Sequence, residues 1–286
     1  MKQITVIGSG TMGKGIAYQA AISGFDVIIH DISEKALKQA HDDIHRLAEK
    51  SENKRYINHS QYTSVQEHII YTTDLKEAVN KTDLVIEAVI EKVDEKIKVF
   101  NEINKYAPDN VILATNTSTI SPTEIGASTK HPERFIAMHF FNPVHQMKLV
   151  EVIRGIETSD ETVNVINSVA KQLNKDTVEV NEFPGFVTSR MNCVIGNEAM
   201  NMLMEGVSTA EGIDKAIKLG LNHPMGPLEM ADLVGLDTRL RNMQYLHRIL
   251  GEKYRPSPIL IKYVTAGRLG KKSGHGFYNY SNERGS

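Results

Sequence analysis

The sequence of 286 residues holds a single cysteine, Cys193, which excludes an intrachain disulfide and a cysteine metal cluster, and no metal site is expected. Free cysteines are generally small buried apolar side chains, and that reading is preferred here over a nucleophile. No uninterrupted apolar run approaches the roughly 18 residues of a membrane span. The N-terminal MKQITVIGSG runs directly into a strand-like segment with no cleavable apolar stretch, so a cytoplasmic address without a membrane partner is expected. The formal charge of -2 gives no general attraction to nucleic acid or to anionic membranes, so any polyanion site must be local. Internal repeats and low-complexity tracts are lacking too. What is present, 41% hydrophobic and 24% charged residues, is the composition of a chain that builds a proper core.

The length suits two domains, given roughly 100 to 200 residues for each. Up to about Phe183, β-rich runs alternate with helical stretches, the pattern of a parallel sheet covered by helices. The runs are Ile4 to Ile7, Asp26 to Asp31, Ile69 to Thr72, Leu84 to Ala88, Val111 to Thr115 and Phe135 to Phe140. They are apolar enough that burial on both faces is expected. After Phe183-Pro184-Gly185 the segments Phe186 to Met204, Thr209 to Leu219, Pro227 to Leu233 and Asp237 to Leu250 read as helical. The expected fold is therefore α/β, with a Rossmann-like, doubly wound domain over 1–183 and an all-helical domain over 184–286. The polar stretch Glu49 to Gln61 reads as a solvated helix end and loop.

Gly8-Ser9-Gly10-Thr11-Met12-Gly13 follows the first run directly and opens a helical segment, the context a dinucleotide fingerprint requires. Taken alone the pattern is weak, and a plain glycine-rich turn is its bland alternative. In the functional reading Gly8 permits the tight turn and Gly10 lets the backbone reach a pyrophosphate. Gly13 lets helix and strand pack closely, with the helix N-terminus facing the anion. The next run ends in Asp31, at the distance where a carboxylate accepts hydrogen bonds from ribose hydroxyls. Asp31 would also repel a 2′-phosphate, and Ile32-Ser33-Glu34 supplies no arginine to bind one, so NAD is expected rather than NADP.

Phe135 to Phe141 reads as a strand, Asn142-Pro143-Val144-His145-Gln146 as a reversal, and Met147 to Ile153 as a second strand. With the turn centred near His145, His139 and Glu151 become cross-strand neighbours, whose Cβ atoms lie about 5 Å apart. A carboxylate beside an imidazole fixes its tautomer and stabilises the imidazolium, while the other ring nitrogen takes a proton from a substrate hydroxyl. Equally open from the residues alone is a satisfied core histidine with an exposed glutamate. His145, beside the turn, is expected to be solvated.

Together, Gly8 to Gly13, Asp31, Asn116-Thr117-Ser118, His139-Phe140-Phe141-Asn142-Pro143, Lys148-Leu149-Val150-Glu151 and Pro184-Gly185-Phe186 resemble the 3-hydroxyacyl-CoA dehydrogenase family. The resemblance extends to Pro224-Met225-Gly226-Pro227, Asp232, Gly235-Leu236-Asp237 and Gly274-His275-Gly276-Phe277-Tyr278, which look like that family's helical dimerisation domain. It implies hydride transfer between NAD and C3 of a short-chain 3-hydroxyacyl-CoA, and a homodimer. His139 would be the base, Glu151 its orienting acid, and Ser118 and Asn142 neighbours of the reacting carbon and nicotinamide. Glu91 and Lys96 match positions beside the cofactor. Lys50 and Lys54, four apart on one helical face, look like contacts to the coenzyme A phosphates, with a solvated basic face equally open.

One position departs from the family pattern: Ser189 stands in Pro184-Gly185-Phe186-Val187-Thr188-Ser189-Arg190 where an asparagine is usual. Serine is shorter and has one donor in place of two, so either water bridges to the substrate carbonyl or Asn192, three residues on, substitutes. Two other functions stay open: a dehydrogenase of a free hydroxy or sugar acid on the same fold, and a non-catalytic, crystallin-like NAD-binding protein. Intact His139, Glu151 and Ser118 argue against the latter.

Overall fold

A computed structural model of the chain describes residues 1–281. It divides into two compact units, Met1–Phe183 and one beginning at Pro184. The first unit runs β1 (Gln3–Ile7), α1 (Thr11–Ile22), β2 (Asp26–His30), α2 (Glu34–Asn53), α3 (His59–Glu67), β3 (Ile69–Thr72), α4 (Leu75–Val79) and β4 (Leu84–Glu87). It continues with α5 (Val93–Ile103), β5 (Ile112–Thr115), α6 (Pro122–Gly126), β6 (Phe135–Phe140), β7 (Leu149–Arg154), α7 (Asp160–Gln172) and β8 (Asp176–Asn181).

The eight strands form one sheet in the order β3-β2-β1-β4-β5-β6-β7-β8. All neighbours are parallel except β6 and β7, which the short reversal makes antiparallel. Alternation along β1, β2, β4, β5 and β6 feeds two cores. Ile4, Val6, Ile29, Ile86 and Met138 pack on one face with α1, while Ile7, Ile28, Val85, Leu113 and Phe135 pack on the other with Phe100 of α5. Each such side chain contributes roughly 1.5–3 kcal/mol of burial, which is what fixes strand register. Burial on both faces holds for β4, β5 and β6 but not for β3, where Ile70 is 57% exposed because β3 is an edge strand. The opposite edge, β8, has no counterpart among the apolar runs of the sequence, since its residues are mostly polar and exposed.

Helix starts follow local chemistry. Ser33 accepts from the Ala36 amide, Asn58 and Gln61 form a reciprocal capping box, and Asp74, Ser121 and Ser159 each accept at a first turn. The Glu49 to Gln61 stretch is thus more ordered than a solvated helix end and loop. It holds the last turns of α2 and the first of α3, with Ser51 and Ile57 buried.

The second unit consists of α8 (Thr188–Met204), α9 (Ala210–Gly220), α10 (Pro227–Val234), α11 (Leu236–Leu250) and α12 (Pro258–Thr265), packed around Met200, Leu228, Leu236, Leu246 and Leu260. Cys193 is buried among them as a small apolar side chain. Two buried acids pin the unit. Asp214 accepts from the Leu228 and Glu229 amides at the start of α10, and Asp232 from the Phe277 and Tyr278 amides. No helix among the described residues is long and apolar enough to cross a membrane.

Candidate active site

Strand order reverses between β1 and β4, and in open α/β sheets ligands bind beyond the carboxyl ends of the strands at such a point. The segment Gly8 to Gly13 lies there. Gly8 has φ +98°, and a Cβ on it would lie 2.9 Å from the Ala88 carbonyl oxygen, so only glycine makes this turn against β4. A Cβ on Gly13 would lie 1.8 Å from the Gly8 carbonyl oxygen, which is the close packing of helix on strand. Gly10 differs: a Cβ there would meet nothing within 4 Å, so its lack of a side chain leaves open space at the N-cap of α1. That helix has no side-chain cap and no acid in its first turn, where Thr11 is exposed and Met12 half-buried. Uncapped amides at the positive end of a helix dipole, behind a bare backbone, fit the pyrophosphate of a dinucleotide.

Asp31 follows β2 at the same edge. Its carboxylate accepts from the Ser9 amide at 2.9 Å, the Ser9 hydroxyl at 2.8 Å and the Ser33 amide at 3.0 Å. Partial burial alone would raise its pKa, but these donors outweigh it and hold Asp31 below the usual carboxylate range. The group is thus a fixed anion with one of its roughly four acceptor positions left for a ligand.

On the other side of the switch point, β6 and β7 pair with His139 directly opposite Glu151. His139 Nδ1 lies 2.7 Å from Glu151 Oε2, with the two residues 6% and 1% exposed. An ionised carboxylate only accepts, so Nδ1 carries the proton and Nε2 is the basic nitrogen of the neutral ring. The ring of Phe141 lies 4.5 Å from that of His139. Asn142 is exposed in the reversal, before a cis bond to Pro143. His145 is half-buried rather than solvated, because its ring meets Tyr18 of α1 edge-on at 5.9 Å; burial first, and then the Lys175 charge, lower its pKa.

Ser118 sits past the end of β5, where its amide donates to Glu91 Oε1 at 2.8 Å and the neighbouring Thr117 hydroxyl donates to the same oxygen. Lys96 is fully buried and lies 3.4 Å from the other Glu91 oxygen. Its principal partner is a residue that the sequence did not single out. Glu87, the buried last residue of β4, receives Lys96 Nζ on both oxygens at 2.8 and 2.9 Å, the Thr115 hydroxyl at 2.6 Å and the Val89 amide at 2.7 Å. Burial pushes Glu87 upward in spite of the Lys96 ammonium. Lys96 also donates to the carbonyl of Asn116, whose side-chain oxygen accepts from the Phe140 amide, so one buried network ties β4, β5 and the strand of His139. The only mark of Glu87 in the sequence is an acid at the end of an apolar strand, which by itself does not distinguish it from an ordinary strand end.

Lys50 and Lys54 are exposed at the C-terminal end of α2, one turn apart. Ser189 is in the first turn of α8, in the second unit, half-buried like Asn192 on the next turn of that helix. Among the described residues no group of three or more His, Cys, Asp or Glu is placed to hold a metal ion.

A dinucleotide cradle and a histidine–carboxylate pair at the carboxyl ends of one sheet's strands are the equipment of a nicotinamide-dependent dehydrogenase. Comparison with known proteins narrows the class. Residues 3–183 match the 3-hydroxyacyl-CoA dehydrogenase, NAD binding domain, and residues 185–280 the C-terminal domain of the same family. A probable 3-hydroxybutyryl-CoA dehydrogenase of Bacillus subtilis is 48% identical over 285 residues, covering 98% of each chain. The mitochondrial hydroxyacyl-coenzyme A dehydrogenase of Homo sapiens is 37% identical over 98% of this chain and 91% of its own length. The crystal structure of (S)-3-hydroxybutyryl-CoA dehydrogenase PaaH1 from Ralstonia eutropha superposes with a TM-score of 0.94 at 41% identity, covering 98% of this chain and 99% of that one. The chain belongs to the 3-hydroxyacyl-CoA dehydrogenase family and is an NAD-dependent oxidoreductase.

Proposed function

We propose that the enzyme interconverts (S)-3-hydroxybutyryl-CoA and acetoacetyl-CoA, with His139 as the base. The observation that carries this reading is the buried 2.7 Å contact between His139 Nδ1 and Glu151, at the carboxyl ends of the parallel strands where the dinucleotide cradle also lies. Nε2 takes the proton of the substrate 3-hydroxyl, and Glu151 balances the imidazolium that forms. When bound, NAD supplies the hydride acceptor for C3. The cradle of Gly8 to Gly13 would hold its pyrophosphate and Asp31 its adenosine ribose. Ser118 and Asn142 orient the reacting carbon and the nicotinamide, and the Glu87–Lys96–Glu91 network keeps the Ser118 loop in register with β6. In the reverse direction the imidazolium returns its proton to the reduced oxygen.

The acyl carrier is assigned as coenzyme A, with exposed Lys50 and Lys54 meeting its phosphates and Ser189 near the thioester or keto oxygen. Relatives named for 3-hydroxybutyryl-CoA support a short acyl chain. The active form is assigned as a homodimer through the helical unit, in the cytoplasm. NADH oxidation with acetoacetyl-CoA and with free acetoacetate tests the substrate. The thioester should be preferred by at least about a hundredfold in kcat/KM, as lost phosphate contacts and misplacement would cost. Equal or better turnover of the free acid would overturn it.

A further inference from the structure

We propose that Lys175 is a positioning residue of this active site: its buried ammonium clamps the reversal between β6 and β7 and so holds Asn142 and the His139–Glu151 register. The inference rests on the catalytic reading above. Lys175 lies between α7 and β8 and is 7% exposed. Nζ donates to the carbonyl oxygens of Val144 at 2.5 Å and Met147 at 2.8 Å, on the two sides of the turn. Among the described residues no carboxylate lies within ion-pair distance of it, so a cation is buried on carbonyl dipoles alone. Burial accordingly lowers its pKa. Burying an ammonium this way is unfavourable unless its hydrogen bonds fix something that an apolar side chain could not.

What it fixes is gripped from the other side as well. Val144 is 2% exposed and packs on α1 at Gly15, where a Cβ would lie 2.9 Å from Val144 Cγ2. The next residue, His145, packs on Tyr18 of the same helix. The backbone of Lys175 is itself anchored, its amide donating to Ala170 and that of Asp176 to Lys148. The reversal that carries Asn142 and sets which residue faces His139 is therefore held between the cofactor helix and one lysine. Strand register is discrete, so a slack turn misplaces the catalytic pair rather than weakening it gradually.

Three variants test this. Lys175→Met removes both hydrogen bonds and the charge at similar length. It should lower kcat at least about tenfold, since small misplacements of reacting groups cost up to about a hundredfold. The KM for the 3-oxo substrate and the NADH dissociation constant, read by fluorescence titration, should stay within about threefold. Lys175→Arg, which keeps donors and charge, should recover most of the lost turnover. Gly15→Ala should favour the helix yet push on Val144, and should lower kcat without lowering the thermal midpoint. Ratios to unaltered enzyme are taken on whichever 3-oxo compound that enzyme reduces, so inactivity on coenzyme A esters would count against the proposed substrate alone. Wild-type kcat in folded Lys175→Met overturns the proposal. Should that variant not fold, unchanged kcat in Gly15→Ala overturns it equally.

Discussion

Replacing Lys96 by methionine removes the cation that pairs with buried Glu87 and half-buried Glu91. Lys96 and Glu87 are both fully buried, so their mutual attraction is little screened, and Glu87 would be left facing Glu91 with no compensation. Breaking a buried pair from one side costs about 3–5 kcal/mol. At roughly 2–4 °C per kcal/mol for a unit of this size, the apo-enzyme midpoint should fall by about 6–20 °C. The opposite change, Glu87→Gln, leaves Lys96 paired with Glu91 at 3.4 Å and keeps an amide oxygen for it. It also removes a carboxylate whose pKa burial already raises. That variant should lose less, about 1.5–3 kcal/mol, the scale of one charged hydrogen bond. Glu87→Gln combined with Lys96→Met should be more stable than Lys96→Met alone, because the uncompensated charge has gone. Urea and thermal unfolding of the three variants provide the cycle. A cost below about 1 kcal/mol for Lys96→Met, or strictly additive losses, would refute the network as drawn.

Asp31→Ala should weaken NAD binding and narrow the preference over NADP, since the ribose acceptor and the repulsive charge vanish together; steady-state comparison of the two cofactors checks this. Because the fold depresses the Asp31 pKa, its ionised form adds stability above the unfolded value near 3.9 and loses it as pH falls through the folded value. The stability gap between unaltered protein and Asp31→Asn should therefore close below about pH 4. Ser189→Asn should preserve or raise activity on acetoacetyl-CoA, and a loss exceeding about tenfold in a folded variant would show Ser189 adapted to another substrate geometry.

Periodicity carried the strands that are buried because both faces meet apolar helices, such as Leu84–Glu87 and Phe135–Phe140. It did not carry Asp176–Asn181, whose pairing with β7 comes from backbone hydrogen bonds that leave side chains free to be polar. Within the site, the cross-strand register of His139 and Glu151 was legible because a twelve-residue interval centred on a turn admits simple arithmetic. Glu87 was not, because a carboxylate inside LVIEA looks like a strand end until Lys96, nine residues later on α5, is folded back beneath it. Lys175 was illegible for a related reason: its partners are carbonyls, which leave no mark in a sequence.

The proposed function requires that His139 and Glu151 act as one proton-transfer unit. It is tested most directly by kcat on acetoacetyl-CoA for His139→Gln, Glu151→Gln and the double variant. A base within reach of the hydroxyl contributes about 10² to 10⁴ in rate, so His139→Gln should lower kcat at least about a hundredfold with NADH binding and thermal midpoint little changed. Glu151→Gln should fall in the same direction, because an amide cannot balance the imidazolium. The double variant should be little worse than His139→Gln, since residues acting as a unit lose activity once. Near-normal turnover in His139→Gln, or multiplicative losses in the double variant, would contradict the claim.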